Sequence, residues 1–123
     1  MASKPMPTEI NLHRKSRTLE VAFDDGERFN LPAEYLRVYS PSAEVQGHGP
    51  GQGVLQVGKE GVNVEAIDPV GNYAVCLHFD DGHNTGIYSW DTLYSLGRHY
   101  SRNWHDYLAR LAAAGHKRKA PEA

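Results

Sequence analysis

The sequence has a single cysteine, Cys76, among its 123 residues. One cysteine excludes an intramolecular disulfide, and such a chain is typical of a reducing compartment. There is also no apolar run approaching the ~20 residues that a transmembrane helix requires. The residues before Pro7 lack the apolar segment of a signal peptide. We therefore expect a cytoplasmic protein without a membrane partner.

A surplus of charge of either sign is also missing. Thirteen Lys and Arg against fifteen Asp and Glu give a formal net charge of −2, so no overall field draws the chain to nucleic acid. The one basic run begins at His116, and we interpret residues 116–123 as a solvated tail. The balance of 40% hydrophobic and 23% charged residues is typical of a globular protein. We expect one domain over residues 8–115, after a disordered leader of residues 1–7.

Familiar catalytic patterns are absent from the sequence as well. It contains no Gly-x-Ser-x-Gly elbow and no His-Glu-x-x-His motif, and no arrangement that would activate Cys76 as a nucleophile. These absences favour a binding or accessory domain over a self-sufficient enzyme.

The sequence does contain the same strand-turn-strand-helix arrangement twice. Alternating apolar and polar residues predict strands, each pair is joined by Asp-Asp-Gly, and a helix follows each pair. The Asp-Gly dipeptide favours a two-residue type I′ hairpin turn. An old duplication and two independent uses of one favoured turn explain the repeat equally well. The predicted strands are residues 19–23, 27–31, 75–79 and 83–88, and the first helix is residues 33–37.

The second helix is predicted to be the longest element, and Ser89 is a good N-cap for it. Its apolar residues follow i, i+3, i+4, i+7 spacing, which predicts that Trp104 and Leu108 lie in the core between helix and sheet. Gly97 interrupts the stripe, so we expect either a kink there or two helices, the second capped by Ser101. The stripe consists of Trp90, Leu93, Tyr94, Tyr100, Trp104, Tyr107, Leu108 and Leu111.

Between the two halves, residues 40–53 show no periodicity and are rich in glycine and proline. Strands are predicted at residues 54–57 and 62–67, followed by a turn at residues 68–72. Gly115 is a predicted helix stop. The fold class that follows is α+β: a mainly antiparallel sheet built from two strand-turn-strand-helix halves, with the long helix on one face.

The irregular loop holds the first candidate site. Gly49 and Gly51 allow backbone to approach a ligand closely, and His48 and Gln52 supply donors and acceptors. A loop whose glycines merely adopt positive φ has the same composition. Because binding residues concentrate on loops of rigid scaffolds, we assign these four as tentative binding residues together with His83.

The second hairpin holds the other candidate. With a two-residue turn, alternation places Cys76, His78, Asp80 and His83 on one face. Two imidazoles, a carboxylate and a thiol form a ligand set for a transition metal, iron or zinc, to which His48 would add a further donor. The competing interpretation, a polar solvent face opposite a core face, is the one we favour.

Four sets of residues carry a family resemblance: 36–37 with 40–44, 48–52, 69–74 and 79–90. These strings extend over most of the predicted domain. Jointly they resemble the gamma-butyrobetaine hydroxylase-like N-terminal domain family, and they are quite specific. Similar domains precede the catalytic domain of eukaryotic oxygenases, and others are fused to P-loop scaffold ATPases of iron–sulfur cluster assembly. The resemblance implies an accessory role near metal-cofactor maturation.

The similar domain of the oxygenases holds a structural zinc, and the resemblance implies which positions of this sequence match its ligands. Three cysteines in the loop after the short helix and one histidine at a hairpin hold that metal. In this sequence the cysteine positions are Ser40, Ser42 and Val45, and the histidine is His83. Serine and valine supply no thiolate, so we expect the zinc site to be absent, and no oxygenase chemistry is transferred.

Two functional hypotheses follow from these features. The first is a non-catalytic domain that presents the loop of residues 40–53 and the hairpin at His83 to a protein partner, with His48, Gln52 and His83 bordering one surface. The second is a metal-binding protein, of iron or zinc, with ligands from His78, Asp80, His83 and His48.

The sequence predicts a fold that does not require metal, since the thiolate positions are empty and a chain of this size can form its own core. A strong chelator should leave the melting temperature unchanged. A fall of more than a few degrees on chelation would contradict this prediction.

Overall fold

The structure, a computed structural model, describes residues 4–46 and 53–118. It contains two three-stranded antiparallel sheets, and a helix follows each sheet directly. The first half consists of β1 (Pro7–His13), β2 (Thr18–Phe23), β3 (Arg28–Pro32) and α1 (Ala33–Val38). In the first sheet β2 is central.

The second half repeats this order with two helices at its end. It consists of β4 (Val64–Val70), β5 (Ala74–Phe79), β6 (Gly86–Ser89), α3 (Trp90–Arg98) and α4 (Tyr100–Ala113), and it is preceded by the one-turn helix α2 (Ala43–Gln46). Here β5 is central. The predicted α+β class with antiparallel pairing is confirmed. None of the described helices is long and apolar enough to cross a membrane.

The two Asp-Asp-Gly turns share one geometry, which is not the predicted one. In the second hairpin the N–H of Phe79 donates to the carbonyl of His83 (2.9 Å) and the N–H of Gly82 donates to that of Phe79 (3.1 Å). The same bonds join Phe23, Gly26 and Glu27. Each loop therefore has three residues, with positive φ at the glycine, where it costs least. The two-residue type I′ turn is wrong, and the register moves by one residue.

The larger of two apolar clusters joins both sheets to α1 and α3. Helix α1 lies at its centre, where the hydroxyl of Tyr35 donates to the carbonyl of Leu96 (2.7 Å) and the hydroxyl of Tyr88 donates to that of Leu36 (2.5 Å). These bonds satisfy polar groups that would otherwise be costly to bury, and burial raises the pKa of Tyr35 to about 12. The core includes Leu19, Val21, Phe23, Leu31, Tyr35, Leu36, Val64, Val75, Leu77, Phe79, Tyr88 and Leu93.

The predicted long helix is two helices, broken at His99. The predicted N-cap at Ser89 is confirmed, because its hydroxyl accepts from the N–H of Thr92 (3.1 Å). Ser101 lies inside α4 rather than at its cap. Gly97 is needed for packing, since a Cβ at this position would overlap the ring of Phe29.

Helix α4 buries the predicted apolar stripe except at Leu108. Tyr107 and Leu111 are buried against Val38 at the end of α1, whereas Leu108 is 39% exposed. The core position predicted for Leu108 is therefore wrong, and Trp104 is partly buried between the two apolar clusters. The error arises because α4 packs on α1 and on residues 55–56, which the apolar spacing does not reveal.

Other differences concern element boundaries and both termini. The strand predicted at residues 54–57 is absent, and β4 continues through Pro69, which an edge strand tolerates. The predicted leader includes the first residue of β1, a strand that was not predicted. In the predicted tail, Arg118 donates to the carboxylate of Glu34 (2.8 Å). The predicted helix stop at Gly115 (φ 79°) is confirmed.

The packing of Gly97 generates a prediction. Alanine favours a helix by about 1 kcal/mol over glycine, but overpacking a core typically costs about 1–3 kcal/mol. We therefore expect Gly97→Ala to lower the free energy of unfolding measured in urea. Gly61→Ala is the control, because a Cβ there meets nothing. Equal stability of the two variants would contradict the assigned contact with Phe29.

Candidate functional site

The loop after α1 meets the second hairpin at a buried histidine. The Nε2 atom of His83 lies 2.8 Å from Oγ of Ser40, and its Nδ1 atom lies 3.0 Å from a carboxylate oxygen of Glu44. The His83 side chain is 2% exposed, Ser40 is fully buried, and the Glu44 side chain is 65% exposed. We call Ser40, Glu44 and His83 the His83 network.

The charge state of the His83 network follows from its donors and acceptors. An ionised Glu44 only accepts hydrogen bonds, so Nδ1 of His83 donates to it and Nε2 accepts from the hydroxyl of Ser40. Burial and the nearby charge of Arg37 lower the pKa of His83, while Glu44 and Asp81 act in the opposite direction. The imidazole is therefore neutral at physiological pH.

Two further features hold the same loop against the second hairpin. The hydroxyl of Ser42 lies 2.7 Å from that of Thr85. Gly86 leaves room for Ser40, because a Cβ on Gly86 would lie 2.6 Å from Oγ of Ser40. The glycine at the start of β6 thus permits the close approach on which the His83 network depends.

An ion cluster lies beside this network. The carboxylate of Asp81 accepts from Nε of Arg37 (2.9 Å) and from Nζ of Lys59 (2.7 Å), and its other oxygen accepts from the N–H of His83 (3.2 Å). Burial would raise the pKa of Asp81, but these donors outweigh burial and lower it to about 2. The turn is thereby joined to α1 and to the segment before β4.

Hydrogen bonds hold the two ends of the loop together at its base. The N–H of Val54 donates to the carbonyl of Val45 (2.7 Å), and Nε2 of Gln46 donates to the carbonyl of Ser40 (2.9 Å). Both ends of the segment between Gln46 and Gly53 are therefore fixed. The tentative binding residues His48, Gly49, Gly51 and Gln52 lie in that segment, outside the described residues, so the predicted surface shared by His48, Gln52 and His83 stays a prediction.

A groove runs from the loop base along α4. It consists of a cleft of about 500 Å³ and a smaller one of about 80 Å³, and Tyr39 and Arg110 line both. The guanidinium of Arg110 lies over the Tyr39 ring at 5.8 Å. We call this surface the α4 groove. Its other lining residues are Val38, Val45, Gln46, Gly53 and Val54 from the loop side, and Asn103, Asp106, Ala109 and Ala113 from α4.

The predicted common face for Cys76, His78, Asp80 and His83 is wrong. The three-residue turn pairs His83 with Phe79 on the core side. His78 instead points outward and pairs with Asp68 (2.7 Å), and Asp80 accepts from the backbone of Asn63. Within residues 4–46 and 53–118 no three His, Cys, Asp or Glu side chains are grouped to hold a metal.

Sequence reasoning missed the acidic and basic members of the site. Glu44 lies in one of the family strings, but a carboxylate in a loop gives no signal that it will bond to an imidazole 39 residues away. Arg37 and Asp81 likewise resemble solvated charges in a sequence. Their pairing depends on where α1 meets the turn, and no local pattern encodes that contact.

Residues 10–94 match the family described as gamma-butyrobetaine hydroxylase-like, N-terminal. The chain belongs to this family. A search of curated proteins gave no match.

Solved structures agree with this membership. Two NMR solution structures are similar, one with 53% identity and a TM-score of 0.83 over 99% of this chain and 91% of that chain, the other with 47% identity and a TM-score of 0.82 over 98% and 95%. A crystal structure of a DUF971 family protein of unknown function from Acidithiobacillus ferrooxidans has 43% identity and a TM-score of 0.65, over 77% of this chain and 98% of that chain.

The residues of this gamma-butyrobetaine hydroxylase-like domain do not fit the structural zinc that the resemblance implies. Ser40 and Ser42 are engaged in hydrogen bonds, and Val45 is apolar and buried. Both nitrogens of His83 have protein partners. Zinc is bound in proteins by thiolates, imidazole nitrogens and carboxylates, and three of these four positions carry none of those groups.

The lowered pKa of His83 predicts a pH dependence of stability. The unfolded chain binds a proton at about pH 6.5, where the folded histidine stays neutral. The neutral His83 therefore contributes fully to the free energy of unfolding above pH 6.5. This contribution falls as the pH decreases, by at most about 1.4 kcal/mol per pH unit for one proton. In the unchanged protein the free energy of unfolding, measured between pH 5 and 8, should rise with pH. The slope of this rise should be smaller in His83→Gln.

His105→Gln is the control for this measurement, because His105 is exposed on α4. It should retain the slope of the unchanged protein. Equal slopes for both variants would show that His83 does not titrate as its surroundings require.

Proposed function

We propose that this domain is a non-catalytic module that binds a protein partner through the loop after α1 and the adjoining α4 groove. The proposal is based on one observation. The hydrogen-bonded base of the loop lies next to an open groove lined by Tyr39 and Arg110. A surface fixed in advance loses little conformational freedom on binding, which favours affinity.

The chemistry of the groove suits a protein surface. Arginine and tyrosine are enriched at the centres of interfaces, and Arg110 covers the Tyr39 ring. Within residues 4–46 and 53–118, Arg110 forms no ion pair through its side chain, so its guanidinium is available to an acceptor on a partner. Ala109 and Ala113 leave space for the close approach of a backbone.

The burial of Ser40 supports a non-catalytic role. Ser40, His83 and Glu44 have the order of a nucleophile, a base and an orienting acid. A nucleophile must reach its substrate, however, and Ser40 has no exposed surface. The same contacts are well explained as a fastening of the loop to the hairpin.

We further propose that the partner takes part in metal-cofactor assembly. This step derives from the resemblance to domains fused to P-loop scaffold ATPases of iron–sulfur cluster assembly. It leads to the expectation that a captured partner handles iron–sulfur clusters or their precursors.

Site-specific photo-crosslinking in the native host tests the proposed surface. A photoreactive phenylalanine analogue replaces Ala109, which lines the groove, or Ala112, which is exposed on the same helix outside it. We expect a discrete crosslinked species from position 109 that is missing from position 112. Adding Arg110→Ala should remove it.

Crosslinked species that are identical at the two positions would contradict the proposed surface. Persistence of the species after Arg110→Ala would contradict the role given to the guanidinium. Circular dichroism of each variant verifies that the fold is retained.

A further inference from the structure

A second surface, separate from the α4 groove, lies where the N-terminal segment crosses the start of α3. Two of the family strings meet here: the N–H of Trp90 donates to the carbonyl of Tyr73 (3.1 Å), and its indole N–H donates to that of Asn72 (2.8 Å). Tyr73 is nevertheless 57% exposed. The turn therefore holds Trp90 with two hydrogen bonds and leaves the adjoining Tyr73 exposed, which core packing does not explain.

The backbone before Tyr73 also determines how its ring lies. Gly71 adopts positive φ (54°), and a Cβ there would lie 3.1 Å from the Tyr73 ring. The ring therefore folds back over the turn beside Trp90. Proline-containing peptides dock in grooves lined by aromatic side chains, and Tyr73 and Trp90 line one cleft together.

The chain's own N-terminal segment lies against these residues. Lys4, Pro5 and Met6 form one wall of a cleft of about 200 Å³ whose other wall includes Tyr73 and Trp90. A second cleft of about 450 Å³ shares Pro5 with the first and continues along α3. The segment thus crosses a trough that extends to both sides of it.

The attachment of this segment is weak at its outer end. The backbone of Met6 is bonded to Asp24 in both directions, but Lys4 is held by an ion pair to Asp91 (2.9 Å) in which the two side chains are 79% and 60% exposed. Such exposed ion pairs contribute little to stability. Met6 itself is 45% exposed.

We propose that this trough is a binding site for an extended segment of another protein that carries Lys-Pro followed by an apolar residue, and that residues 4–6 occupy it in cis. The chemistry of the occupant is visible in the segment already seated there: an ammonium for Asp91, a proline beside the aromatic residues, and an apolar side chain. A residue that precedes proline is biased towards extended backbone, and both Lys4 and Met6 precede one.

A peptide with the sequence of residues 2–8 tests the site on the full-length protein. The indole N–H resonance of Trp90, followed by NMR, reports its binding. A tethered segment acts at an effective concentration of the order of millimolar, so peptide should bind the unchanged protein weakly. Lys4→Glu repels Asp91 and should strengthen peptide binding by about 5–10-fold, because it raises the fraction of free sites.

Lys15→Glu is the matched control, since it makes the same charge change at an exposed lysine of the β1–β2 turn, and it should leave peptide affinity unchanged. Tyr73→Ala should abolish the Trp90 shift without loss of fold, as its side chain is exposed. A peptide with both prolines replaced by alanine should not bind.

Three results would overturn the proposal. One is the absence of a Trp90 shift in Lys4→Glu at millimolar peptide. Another is equal binding of the proline-free peptide. The third is a Trp90 shift that depends on protein concentration without peptide, which would assign the trough to a second copy of this chain.

Discussion

The structure depends on a buried histidine whose two ring nitrogens are both occupied. His83 joins the second hairpin to the loop after α1 through Ser40 and Glu44. A neutral imidazole with a donor on one side and an acceptor on the other is stable in a buried position, whereas an unsatisfied nitrogen there would cost about 1–3 kcal/mol. The network therefore selects one arrangement of the loop relative to the hairpin.

Helix α1 connects the His83 network to the rest of the domain. Its residues contact both sheets and α3, and Arg37 reaches the turn that carries His83. One guanidinium nitrogen of Arg37 is buried without a hydrogen-bond partner among the described residues. A buried nitrogen without a partner is unfavourable, although Nε of the same side chain is paired with Asp81. The α4 groove is lined by Val38 at the end of the same helix and by Tyr39, its C-cap.

Local signals in the sequence predicted local features well. The alternation in residues 75–79, the cap at Ser89 and the stop at Gly115 each depend on a few neighbouring residues, and the structure confirms all three. Other predictions failed, some because they depend on distant contacts. The role of Gly97 follows from Phe29, far away in the sequence. Strand β1 was not predicted, although Ile10 and Leu12 alternate with polar residues in it.

The site shows how a small local error becomes a large one. A turn of three residues instead of two moves His83 from the outer face of the hairpin to the core, and with it the predicted metal face disappears. The family resemblance, by contrast, identified Ser40, Ser42 and His83 as positions that belong together. It did not reveal that hydrogen bonds join them, nor that Glu44 takes part.

A double-mutant cycle on Ser40 and His83 tests this account most directly. The free energies of unfolding of Ser40→Ala, His83→Phe and the double variant are compared with that of the unchanged protein. A direct buried hydrogen bond predicts a coupling free energy of about 1–2 kcal/mol, whereas the pair Ser101→Ala with His83→Phe should be additive. Additivity within about 0.5 kcal/mol for Ser40 and His83 would contradict the account.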